Sequence, residues 1–178
     1  PMYMKDWIEY LDDFLKLNDL QLERILNPWI EEKKGAYQLH DNTSRKIRES
    51  YTSNERRLDL RNLGLESLPR AIRFCLPTSI NLSGNKLTKF PEDIISPHLC
   101  SLDISHNQIK TIPPEIQNLT TLEDLFLNGN QLSSIPEEIR CLPINHLDLS
   151  RNRFTKFPQA VTKLYHLCLL DISHNKIE

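Results

Sequence analysis

Residues Leu122 to Ile139 read L-E-D-L-F-L-N-G-N-Q-L-S-S-I-P-E-E-I, and this stretch is the unit from which most of the chain is built. Its first strand-like apolar residue, Leu125, has counterparts at Leu58, Ile80, Leu102, Leu147 and Leu170, spaced by 22, 22, 23, 22 and 23 residues. A second apolar residue follows two places on, at Leu60, Leu82, Ile104, Leu127, Leu149 and Ile172. Three residues later stands an asparagine (Asn85, Asn107, Asn130, Asn152, Asn175), replaced by Leu63 in the first unit alone. Leu65, Leu87, Ile109, Leu132, Phe154 and Ile177 come next, and an apolar-proline corner closes each of the first five units, as at Ile135-Pro136.

Each slot has a physical task. Apolar residues two apart share one face of a short strand. A single such strand cannot bury that face, so neighbouring units must stack and share a core. The asparagine amide stands where the chain leaves the strand and can pair backbone groups that stacking would bury. Proline fixes φ and ends strand pairing on the return side. Leu63 needs no amide, because the first unit has no earlier neighbour. A period of 22–23 residues with this content predicts a leucine-rich-repeat array: an α/β solenoid with a parallel, concave β-sheet and an N-terminal α-helical cap. The cap is assigned to residues 1–55 and six repeats, the last truncated, to residues 56–178.

The non-repeating segment reads as three helices. Met4, Trp7, Ile8, Leu11, Phe14 and Leu15 form one helix face opposite Asp6, Glu9, Asp12 and Asp13. A second stretch carries Leu22, Ile25, Leu26 and Trp29 and is interrupted at Pro28. A polar link over Gln38 to Asn42 leads to a third helix from about Thr43 to Ser53, anchored by Ile47 and Tyr51. Such a segment shields the first repeat's core and strand edge from water. The acidic face of the first helix offers a partner-binding alternative. A start at Pro1 and a stop directly after Ile177-Glu178 lead one to expect a longer parent chain.

A net charge of −2 gives no basic footprint for nucleic acid. No apolar run approaches the length of a membrane span or a signal peptide's core, so no membrane partner is expected. Cys100 and Cys168 share one repeat slot, and Cys75 and Cys141 lie on the return side. Like-placed cysteines are three strands apart, roughly 14 Å at about 4.8 Å per strand. A disulfide needs Cα atoms within about 7 Å. Free, buried or half-buried thiols are expected, and with them a cytosolic site of action, in the protein's own cell or in a host cell entered by secretion.

The entry Glu55 to Pro69, E-R-R-L-D-L-R-N-L-G-L-E-S-L-P, preceded by a tryptophan-bearing helical segment, resembles the cap-to-repeat junction of bacterial secreted leucine-rich-repeat effectors of the YopM, SspH and IpaH type. Those effectors use shorter repeats with a doubled L-P-x-L-P, whereas the 22–23-residue unit here is similar to Ras-suppressor-type repeats. The resemblance implies a recognition role and carries over no catalytic residue, cofactor or metal.

Strand residues facing away from the core make the candidate binding surface. Between the two apolar positions lie Asp59, Asn81, Asp103, Phe126, Asp148 and Asp171. Arg61, Ser83, Ser105, Asn128, Ser150 and Ser173 form the next exposed column. Beyond it stand Asn62, Gly84, His106, Gly129, Arg151 and His174. On the other side are Arg57, Ser79, Ser101, Asp124, His146 and Leu169. Asp103, Ser105 and His106 invite a triad reading, but each only fills a repeat slot and no oxyanion donor is implied. His146 with Asp148 could begin a metal site but lacks a second histidine. Phe126 is the informative residue, because aromatics are enriched at binding hot spots and this one has carboxylates on both sides. The expected function is a non-enzymatic protein-interaction module, a monomer with no small-molecule substrate, binding through Phe126, Asp103, Asp148, Asp171, His146 and Arg151. The alternative is the targeting domain of a larger enzyme, of ubiquitin-ligase or GTPase type, with its catalytic part beyond Glu178.

Overall fold

The computed structural model describes residues 37–52, 56–69, 72 and 76–178. Within them, the first apolar slot of every repeat lands on a short strand. The strands are β1 (Arg57–Asp59), β2 (Ser79–Asn81), β3 (Ser101–Asp103), β4 (Asp124–Phe126), β5 (His146–Asp148) and β6 (Leu169–Asp171). They form one parallel sheet in sequence order. Its register puts Leu58, Ile80, Leu102, Leu125, Leu147 and Leu170 in line, as the spacing requires.

Behind the sheet the first five of these residues join the second apolar row and the return-side residues in one continuous core. Short 3-10 helices line the return side at Glu92–Ile94, Pro114–Asn118, Glu137–Cys141 and Gln159–Lys163. Each follows a proline and turns an apolar residue inward, Ile94, Ile116, Ile139 or Val161. In the sixth repeat the core is open: Leu170 and Ile177 are 36 % and 38 % exposed.

The asparagines do form a ladder, and it points backward. Asn130 Nδ2 donates to the carbonyls of Ile104 and Leu127, both at 3.0 Å, while its Oδ1 accepts the Ile109 N–H. Asn85, Asn107, Asn152 and Asn175 repeat this arrangement. Each amide therefore serves the turn of the preceding repeat. Asn85 takes the N–H groups of Leu63 and Leu65, so the first repeat needs no asparagine of its own.

The helical segment differs from the sequence expectation. The helix α1 runs Tyr37–Thr52, so Gln38 to Asn42 are helical and not a link. Arg45 explains how a polar stretch joins the helix: its guanidinium bonds Asn42 Oδ1 and Glu49 Oε1, both at 2.9 Å, along one face. Ile47 is fully buried, and Lys46 Nζ donates to the Asp59 carbonyl at 2.9 Å, on the outer edge of β1. The two helices expected before Tyr37 lie outside the described residues, as does Cys75.

Candidate functional site

On the outward face, the column between the apolar rows does more than decorate the sheet. Asp59 Oδ1 accepts the N–H of Arg61, two residues on, and Asn81 does the same for Ser83. Asp103, Asp148 and Asp171 accept from Ser105, Ser150 and Ser173 at 2.8 to 2.9 Å. In five repeats this slot thus caps the turn that leaves the strand. In the fourth it holds Phe126, whose ring cannot accept that bond. Phe126 is half-buried, and its register partners are Asp103 on β3 and Asp148 on β5.

The capping geometry corrects one expectation. Ser105 and Ser150 are buried, not exposed, because the capped turn folds the chain back at that point. It also removes the triad. Ser105 donates its N–H to Asp103, whereas His106 Nε2 lies 3.4 Å from Asn128 Nδ2. Among the described residues no hydrogen bond joins His106 to Ser105 or Asp103. His146 turns away from Asp148 as well: its Nδ1 pairs with Asp124 Oδ1 at 2.6 Å, across the β4–β5 step. Among the described residues no cluster of ligating side chains could hold a metal ion.

The third column shows a feature that the repeat slots hinted at but did not reveal. Asn62, His106, Arg151 and His174 all have φ between 53° and 56°, and Gly84 and Gly129 share the conformation. The left-handed turn is therefore built into every repeat, and glycine takes it without steric cost. The glycines also make room. A Cβ on Gly129 would lie 2.7 Å from His106 Nδ1, and one on Gly84 would run into Asn62 Oδ1. Each preceding side chain lies over the next glycine. Arg151 and His174 stand beside Asp171, whose carboxyl is held below its ordinary 3.8, first by the Ser173 hydroxyl and N–H and then by these two neighbours.

Of the six residues expected to bind a partner, Asp103, Phe126, Asp148 and Asp171 form one column. Arg151 lies three residues farther along β5, near Asp171, and His146 lies on the opposite flank in its pair with Asp124. Cys141 and Cys168 are exposed and only Cys100 is half-buried, so the expectation of buried thiols fails for two of the three described; all three are free. Among the described residues no helix is long and apolar enough to cross a membrane.

A family model for the leucine-rich repeat matches residues 78–132 and 97–154. The fold is a leucine-rich-repeat solenoid. Rat osteomodulin is 39 % identical to this chain over 70 residues, a match covering 38 % of the chain and 16 % of osteomodulin. Among solved structures, the match to the Shigella effector leucine-rich-repeat domain covers 89 % of this chain at a TM-score of 0.65, with 23 % identity and 66 % of that domain's own length. The plant peptide hormone receptor RGFR1, solved in complex with RGF2, matches 61 % of the chain at 35 % identity and a TM-score of 0.54, over 19 % of the receptor chain. The BIR2 ectodomain of Arabidopsis thaliana matches at 28 % identity and a TM-score of 0.56, over 67 % of each chain. The solenoid thus spans less than two thirds of osteomodulin and of the RGFR1 receptor. Leucine-rich repeats generally serve protein binding, and the receptor relative was solved with its peptide hormone.

Proposed function

We propose that this solenoid is a non-enzymatic protein-interaction module whose partner sits on the concave sheet around Phe126. The observation that carries this reading is the slot Phe126 occupies. Five repeats place a carboxylate or amide there and gain a turn-capping hydrogen bond. The fourth forgoes that bond and puts a half-buried ring in the middle of the face. A residue that costs local stability in the centre of an otherwise polar surface fits a binding hot spot. Asp103, Asp148 and Asp171 surround it with negative charge, and His146 and Arg151 mark the two flanks. The junction resemblance and the likeness in fold to the Shigella domain support the recognition part of a bacterial effector, acting in a host cytosol where its free thiols stay reduced. In this reading residues 1–55 close the first repeat, as the α1 contacts suggest.

The test is affinity capture from host-cell extract with three baits: the wild-type protein, Phe126→Asn, and the return-side control Glu137→Lys with Glu138→Lys. A partner held by the wild type and the control but lost by Phe126→Asn supports the site. A partner lost by the control and kept by Phe126→Asn overturns it.

A further inference from the structure

The geometry of the sheet restricts what can lie on it. Asp103, Phe126 and Asp148 sit in register on β3, β4 and β5, so the two carboxylates are two strand steps apart, about 9.6 Å at ~4.8 Å per step. Each carboxylate spends Oδ1 on its own turn, and among the described residues no hydrogen bond engages its Oδ2. Asp59 continues the two-step beat, but its Oδ2 is already on Arg61 Nε at 3.1 Å. Asp171 is one step from Asp148, off the beat, and beside Arg151 and His174.

A partner chain that meets both carboxylates must present side chains on one face at this interval. A β-strand returns to the same face after two residues, about 6.7 Å, and turns its third residue away. A helix returns to the same face after seven residues, about 10.5 Å, roughly 0.9 Å too long. A polyproline-II chain returns to the same face every third residue, about 9.3 Å along its axis. Its carbonyls have no internal partners, and Asn128, His106 and Arg151 offer donors on one side of the Phe126 column. Aromatic side chains are also the usual docking surface for such segments.

Resting on the reading above, we infer that the concave face takes a cationic polyproline-II segment crossing β3 to β5, with basic residues i and i+3 on Asp103 and Asp148 and the apolar chain between them passing over Phe126. Charge complementarity, the two-strand interval and the central ring select it together. The partner is therefore a protein with an exposed basic-x-x-basic, proline-rich stretch.

Fluorescence anisotropy with labelled synthetic peptides tests this. One peptide carries two arginines at i and i+3 among prolines, and isomers of the same composition carry them at i+2 or i+4. A helical peptide with arginines at i and i+7 completes the set. The i+3 peptide is expected to bind about tenfold or more tightly than every other peptide. That preference should vanish in the double variant Asp103→Asn with Asp148→Asn. The variant keeps its turns, because Asn81 already makes the same cap in the second repeat. Equal binding of the peptides, no binding at all, or a preference that survives the double variant overturns the inference. A random peptide display library, selected on the wild type and counter-selected on Phe126→Asn, separates the two readings. Phe126-dependent sequences without the basic spacing sink this inference and leave the concave site standing. An absence of Phe126-dependent sequences sinks both.

Discussion

At the scale of the residue, two kinds of position hold the repeat together, and each gives a different mutant signature. Asn130 satisfies two buried carbonyls and one N–H, so Asn130→Ala should cost about 1–3 kcal/mol in urea unfolding. Asn175 makes the same bonds half-exposed, where water replaces part of them, and its alanine variant should cost less. An equal cost would mean that burial is not what makes the ladder matter. Gly129→Ala meets two penalties. Left-handed backbone costs an alanine about 1–2 kcal/mol, and the new methyl pushes against His106. Adding His106→Ala should recover only the second part in thermal melts. Full recovery would show that the backbone conformation carries no strain. The repeat slots made the asparagine ladder plain from the sequence. They did not disclose the left-handed column, because His106, Arg151 and His174 are unusual residues for it. The signal was there in Gly84 and Gly129, which share their slot. The burial of Ser105 and Ser150 was hidden for a related reason: strand alternation stops at the capped turn, so counting outward from the strand misassigns the next residue.

At the scale of the element, the strands were legible and the helix was only half so. Two-residue alternation between fixed asparagines leaves one register that lines up Leu58 through Leu170 and buries the first five, and the sheet adopts it. No comparable repetition disciplines residues 37–52. The polar run from Gln38 to Asn42 reads as a link until Arg45 is seen joining Asn42 to Glu49 across successive turns. Pair contacts of that kind depend on rotamers, which composition does not report. The function of α1 follows from its inner face. Ile47 belongs to the common core and Lys46 ties down a carbonyl on the open edge of β1. Ile47→Ala should therefore destabilise the whole array by about 2–5 kcal/mol in urea, and strands far from α1 should melt with it. A change below about 0.5 kcal/mol, the range of ordinary surface substitutions, would make α1 an appendage and not part of the fold. The pairing of His146 with Asp124, in place of Asp148, belongs to this scale too: two adjacent strands supply the partners, and one strand read alone could not show it.

At the scale of the whole molecule, stacking six near-identical units produces columns, and the proposed binding site lies where a column breaks its own rule. Phe126 is that break. Phe126→Asn restores the cap that Asn81 shows to be compatible with the fold, so the variant should melt no lower than the wild type. The same change removes the ring, and binding should weaken by about 2 kcal/mol or more, as for a hot spot. Asp103→Asn and Asp148→Asn should slow association and flatten its salt dependence while leaving melting nearly unchanged. Glu137→Lys with Glu138→Lys loses only an exposed ion pair with Lys163, worth at most about 1 kcal/mol, and serves as the return-side control. The most direct measurement of where the partner sits is photo-crosslinking with benzoylphenylalanine placed at position 126 or, separately, at position 138. Both variants are incubated with host-cell extract and irradiated. The account predicts a discrete partner adduct from position 126 and none from position 138. An adduct formed from position 138 alone would contradict it.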